Sequence, residues 1–213
     1  MVLFAWFVLA ILICGFVNQT KLLELVFEQD TNAQQQKINY QLDIGLVKNG
    51  KKIMLDKKQM KSIINNVLQK LGEKYATPDA IEFVYNTGLV ESKYIYLKQI
   101  KGPAKGLFQC EAHNCIDIIK NYLSYRPELM KIVAKACNVD WKYFTDPQEK
   151  SWEYILTTNI AAQIVFCRLH YRRVPERLPK TLEDQARQWK KYYNTAKGRG
   201  TELHFLEVVK KYG

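Results

Sequence analysis

The sequence predicts a mainly α fold with one small β or loop excursion, and three observations carry that prediction. From Asp56 onward apolar residues recur at spacings of three and four, the period of an amphipathic helix. Helix start and stop signals punctuate that pattern, among them Thr77-Pro78 and Gly72. The helical period lapses most clearly between residues 92 and 109, which hold Tyr94, Ile95, Tyr96 and the Gly102-Pro103 turn.

Residues Val2 to Val17 carry no charge and are almost all apolar, which reads as an export leader or a short membrane anchor. At 1.5 Å per residue such a helix reaches about 24 Å, short of a hydrocarbon core of roughly 30 Å. No Lys or Arg precedes the run and no small-x-small site follows it, so a buried apolar helix or a misassigned start stays open beside the leader. A polar arm rich in Gln and Asn follows (Asn32, Gln34, Gln35, Gln36). Asn49-Gly50, between Leu46-Val47 and Ile53-Met54, has the chemistry of a tight hairpin. The expected organisation is a leader or anchor over residues 1–20, an arm over 21–55 and one folded domain over 56–213.

Within that domain Asp56 caps a first helix whose Met60, Ile63, Ile64, Val67, Leu68 and Leu71 form one face. Thr77-Pro78 opens a second, with Ile81, Val84, Tyr85 and Leu89 on its apolar side, running toward Glu91. After the excursion, helices are expected over about 114–123, 127–138, 148–172, 181–194 and 201–211.

Composition bounds the function classes. With 47% hydrophobic and 25% charged residues, ten Gly and six Pro, a collagenous, low-complexity or mostly disordered chain is excluded. A multi-span membrane protein is excluded too, because the only long uncharged run is the first one. The 32 Lys and Arg against 21 Asp and Glu give a net charge of +11, which favours polyanionic surroundings. Zinc-finger spacing, RNP aromatics and a Gly-rich phosphate loop are all missing, so no specific nucleic acid is expected.

Of five cysteines, Cys14 lies in the apolar run and Cys110, Cys115, Cys137 and Cys167 in the body. The four can pair in any of three ways, with Cys110 and Cys115 the local choice, or stay as buried thiols. A metal site on Cys110, His113 and Cys115 lacks a fourth ligand, and no metal or cofactor is expected. Arg168, Arg172, Arg173 and Arg177 form a basic stretch, read either as a solvated helix end or as an attractor of anionic polymers or peptide carboxylates.

Glu91 is the most informative carboxylate. It stands where an amphipathic helix meets an aromatic loop, and burial there raises a carboxyl pKa toward that of a general acid. A Glu at a helix end is otherwise a solvated side chain. Fifteen to eighteen positions on comes Gly106-Leu107-Phe108-Gln109, in which Gly allows close backbone approach and Gln offers a donor and an acceptor.

Glu91-Ser92, Gly106-Leu107-Phe108-Gln109, Asn159-Ile160-Ala161-Ala162 with Leu169, and Tyr192-Tyr193-Asn194-Thr195 together resemble the lysozyme-like superfamily, in particular the soluble lytic transglycosylase domain of bacterial cell-wall enzymes and phage virion proteins. The likeness spans roughly residues 75 to 197. It departs at Ile100, where that family carries a Ser, at Thr195, where Gly is typical, and at Cys110-Glu111 after the Gln. The resemblance implies a lysozyme-like domain with the excursion after the catalytic helix, Glu91 as the catalytic residue, and Ser92, Gln109, Tyr193 and Asn194 at the substrate. It implies peptidoglycan strands as the partner, virion or envelope proteins beside them, and a location in the periplasm, cell envelope or virion. The apolar N-terminus adds membrane contact.

The residues constrain the chemistry as well. Ordinary glycosidases use two carboxylates, and between Glu91 and Gln109 there is no Asp or Glu. One carboxyl suffices when the substrate supplies the nucleophile. Glu111 is the nearest second carboxylate and keeps a hydrolytic muramidase open; a glycan-binding protein without turnover is the third reading, which Ile100 keeps open.

Overall fold

The computed structural model describes residues 55–213 except Lys197, and the backbone of two short strands, β1 (Val47–Lys48) and β2 (Lys51–Lys52). The strands pair antiparallel, Val47 with Lys52 and Lys48 with Lys51. The expected leader and nearly all of the polar arm lie outside the described residues. The chain divides after Ile53, and Met54–Gly213 is one compact unit. Among its described residues no helix is long and apolar enough to cross a membrane.

That unit is mainly helical. Helix α1 (Lys57–Gln69) starts where the Asp56 carboxylate accepts the Gln59 N–H at 2.9 Å, and it buries Met60, Ile64, Val67 and Leu68. Ile63, expected on the same face, is 39% exposed, because it falls at the edge of the stripe those four define. Gly72, at φ 106°, takes a left-handed turn and leads into a short 3₁₀ turn, Glu73–Tyr75.

Helix α2 (Pro78–Ser92) begins with the Thr77 hydroxyl accepting the Ala80 N–H and Pro78 in its first turn. The single apolar side expected here is a full circumference instead, since every residue from Phe83 to Val90 is buried. Such a helix runs through a domain interior.

Next come α3 (Ala112–Ile118), continuing as a π-helical turn Ile119–Leu123, then α4 (Pro127–Cys137), α5 (Lys142–Thr145), α6 (Glu149–Thr158) and α7 (Ile160–Arg172). The helix expected over 148–172 is therefore two. Asn159 breaks it with extended backbone (φ −117°, ψ 100°), and its side chain explains why. The amide oxygen accepts the Ala162 N–H at 2.9 Å and the amide N–H donates to the Cys137 carbonyl at 2.8 Å. Capping and cross-linking together outweigh one continued helical turn.

Helix α7 is the axis of the unit. It packs against α1, α2, α3, α4 and α6, and every residue from Ala162 to Leu169 is buried. Phe166 meets Trp152 and Phe144 with ring centroids 4.7 and 6.4 Å apart, and each such burial is worth about 1.5–3 kcal/mol. The chain closes with α8 (Leu182–Gln188), a π-helical turn Trp189–Asn194 and α9 (Glu202–Tyr212), which packs on α2 and α8.

The excursion after α2 is β-like without becoming a sheet. Isolated bridges join Lys98 to Lys105 and Lys105 to Cys110. Tyr94 anchors it: its hydroxyl donates to the Tyr85 carbonyl at 2.6 Å and lies so close to Gly88 that an added Cβ there would stand 2.5 Å from it.

Candidate active site

Glu91 occupies the last turn of α2, and its carboxyl borders a cleft of about 690 Å³. The opposite walls come from the excursion (Gln99 to Ala104, Gln109 to Glu111), from α7 (Phe166, His170) and from the segment after α8 (Tyr193, Asn194, Gly198 to Gly200). Four of the five residues singled out in the sequence, Glu91, Gln109, Tyr193 and Asn194, thus share one cavity.

The Glu91 carboxylate accepts a 2.8 Å hydrogen bond from the Trp189 indole N–H. Burial pushes its pKa up from an ordinary 4.5 to about 7, and the indole bond opposes that rise. A carboxyl near 7 holds its proton in about half of the molecules at neutral pH and releases it without a large cost. Trp189 itself is 2% exposed and packs on Phe205. Nothing in periodicity reveals that a residue 98 positions away holds the Glu. Tyr193 donates to the Phe108 carbonyl at 2.7 Å and sits 3.1 Å from the Cys110 sulfur.

Ser92 was expected at the substrate and does not line the cleft. It is 2% exposed, and its hydroxyl donates to the Leu107 carbonyl at 2.6 Å while accepting the Tyr94 N–H at 3.0 Å. One step along a helix is about 100°, which turns Ser92 away from Glu91 and onto the loop. It holds the excursion against α2.

Gly106 and Gln163 hold the other end. At φ 76° Gly106 passes so near α6 and α7 that a Cβ would lie 2.6 Å from the Leu156 carbonyl oxygen and inside the Gln163 side chain. The fully buried Gln163 accepts the Leu107 N–H at 2.8 Å and donates to the Leu156 carbonyl at 2.7 Å. The Gln109 side-chain N–H donates to the Gly106 carbonyl at 2.7 Å, which fixes the amide at the cleft floor. Asn194 is tied by Lys190, whose ammonium also bonds the carbonyls of Thr195 and Gly198. Thr195, where the resembled family has Gly, stands at φ 62° and ψ 174°, a region that costs a β-branched residue of order 1–3 kcal/mol.

The remaining lining residues define what the cleft can do. Glu111 is the one other acid among the cleft-lining residues, its side chain 34% exposed and 3.2 Å from the His113 imidazole. His170 bonds the Tyr192 carbonyl through Nε2 at 2.7 Å, so that nitrogen carries a proton, and burial holds the imidazole below its ordinary pKa. Ile100 is 73% exposed at the rim. Lys101 and Arg199 also line the cleft; Arg199 sits between two glycines, a loop signal the sequence offered and the reading passed over.

Cys110, Cys115, Cys137 and Cys167 are all free and buried, so neither the local pair nor any other pairing of the four is formed. Among the described residues no group of His, Cys, Asp and Glu is arranged to hold a metal ion. No protein-family model matches the chain, and no curated protein or solved structure is significantly similar to it.

Proposed function

We propose that the chain is a lysozyme-like peptidoglycan lytic transglycosylase, working in a cell envelope or a virion. It cleaves the β-1,4 bond between N-acetylmuramic acid and N-acetylglucosamine and leaves 1,6-anhydro ends. The observation that supports this reading is Glu91: a half-buried carboxyl on a cleft wall, pushed by desolvation to about 7 and held by a neutral indole rather than by a cation.

In this mechanism the protonated Glu91 donates its proton to the glycosidic oxygen, the bond to the muramic C1 breaks, and the glucosamine side leaves as an alcohol. The Glu91 carboxylate then takes the proton of the muramic 6-hydroxyl, whose oxygen bonds to C1 and closes the anhydro ring. The carboxyl returns to its starting state, so no second protein carboxylate is consumed. Gln109, with its side-chain oxygen left over from the bond to Gly106, and Asn194 serve as sugar contacts on the floor and far wall.

A second reading has its own observation. Glu111 lines the same cleft, and a water placed by it would turn the reaction into hydrolysis by a muramidase. Digestion of sacculi in water labelled with heavy oxygen separates the readings. Transglycosylation gives unlabelled fragments lighter than the hydrolysis products by one water. Label in most new ends establishes the muramidase, and no fragments at all leaves a glycan-binding protein without turnover.

A further inference from the structure

Helix α7 has a second chemical face. Phe166 and His170 line the cleft, whereas Arg168 and Arg172 project roughly 120–160° away around the helix and about 40° from each other. Arg168 is only 5% exposed. Its Nε donates to the Tyr75 carbonyl at 3.2 Å and its guanidinium carbon lies 5.9 Å from the centre of the Tyr75 ring. Arg126, at the start of α4, stacks on the Tyr122 ring at 4.1 Å and donates to the Tyr122 carbonyl at 2.9 Å.

Among the described residues none of these three guanidiniums forms an ion pair with a carboxylate, although Arg173 beside them pairs with Asp117 at 2.7 Å. Arg126, Arg168 and Arg172 all act electrostatically on the Tyr75 hydroxyl, and so does the Tyr122 hydroxyl. The C-terminal end of α7 offsets part of the cost of a buried cation. It does not offset a second guanidinium beside the first, since Arg172 and Arg168 repel one another. Like charges gathered around a buried Arg call for an anion.

We propose that Arg126, Arg168 and Arg172, with the hydroxyls of Tyr75 and Tyr122, form a binding site for a phosphate group on the side of α7 away from the cleft. The donors come from four separate elements: the 3₁₀ turn, the π-helical turn Ile119–Leu123, the junction before α4 and the end of α7. A tetrahedral phosphate accepts bonds from several directions, whereas a carboxylate presents two oxygens in one plane. With Arg168 at the bottom and the exposed Arg126 and Arg172 at the rim, the site takes one terminal phosphate rather than a length of polymer.

Thermal unfolding of the full chain against inorganic phosphate, with chloride at matched ionic strength, tests the proposal. Phosphate should raise the midpoint saturably and chloride should not. Arg126→Gln with Arg172→Gln, both at exposed positions, should weaken the apparent phosphate affinity at least tenfold, while Arg173→Gln leaves it unchanged. Without phosphate, Arg172→Gln alone should be no less stable than the parent, because a repulsion has been removed. Equal shifts by phosphate and chloride, or unchanged affinity in the double variant, overturns the site. Flotation with phosphatidylcholine vesicles containing phosphatidic acid then distinguishes the sources: retention that free phosphate competes away marks a lipid phosphate, and no retention marks a soluble phosphate ester, both consistent with the site.

Discussion

The two carboxylates of the cleft belong to the same residue type and live in different surroundings. Glu91 ends a buried helix, accepts one neutral N–H and is pushed to about 7. Glu111 precedes α3 on the excursion side, keeps a third of its side-chain surface in water and pairs with His113. One wall therefore supplies a group able to carry a proton near neutrality, and the other a carboxyl partly open to water beside an imidazole. The side chain sets the possible chemistry, and its wall sets the protonation state.

The sharpest way to break that comparison is to neutralise each carboxylate in turn. Glu91→Gln should lower the cleavage rate on the order of a thousandfold with the fold intact by circular dichroism. Glu111→Gln should leave it within about a factor of three, because a side-chain contact exposed to water contributes little. A collapse of both variants would hand the reaction to a carboxylate pair.

Stability should separate the walls as well. The folded-state pKa of Glu91 is raised, so its share of stability is complete below 4.5 and lost as pH climbs to about 7. The parent should therefore lose roughly 3 kcal/mol relative to Glu91→Gln across that interval, read from urea midpoints at several pH values. Equal pH profiles for the two proteins would show that the carboxyl is not buried as a charge.

Trp189→Phe tests the indole alone. Losing its N–H removes the interaction that opposes burial, so the alkaline fall in cleavage rate should move to higher pH, alongside a packing loss of about 1–3 kcal/mol. An unmoved pH profile would deny the indole its part in tuning Glu91. The smallest effect is expected beside Asn194: Thr195→Gly should gain about 1 kcal/mol by relieving φ 62°, measured as a higher denaturation midpoint, and a loss would mean the threonine side chain holds the turn.

Features written in neighbouring residues were legible. Asp56 and Thr77-Pro78 announce their helices because a cap and its N–H lie three positions apart. The lapse of period after Glu91 marked the excursion, and Gly106 was recognised as a close-approach position before Leu156 and Gln163 supplied the reason. Features made by distant segments were not legible. The break at Asn159 depends on a carbonyl of α4, and the grip on Glu91 depends on an indole from the far end of the domain. Ser92 was misplaced because adjacency to Glu91 in sequence is a rotation away from it on a helix.

The four buried thiols have a practical consequence. Burial pushes the Cys110 thiol up to about 12 and holds those of Cys115, Cys137 and Cys167 well above an ordinary thiol as well. Only the thiolate is a good nucleophile, so at these four positions alkylating reagents meet inert thiols while the domain stays closed. Modification must then wait for an opening event, and its rate counts those events. Cys110, 9% exposed at the cleft, should be tagged ahead of the completely enclosed Cys137, so the order of tagging would chart how the domain comes apart.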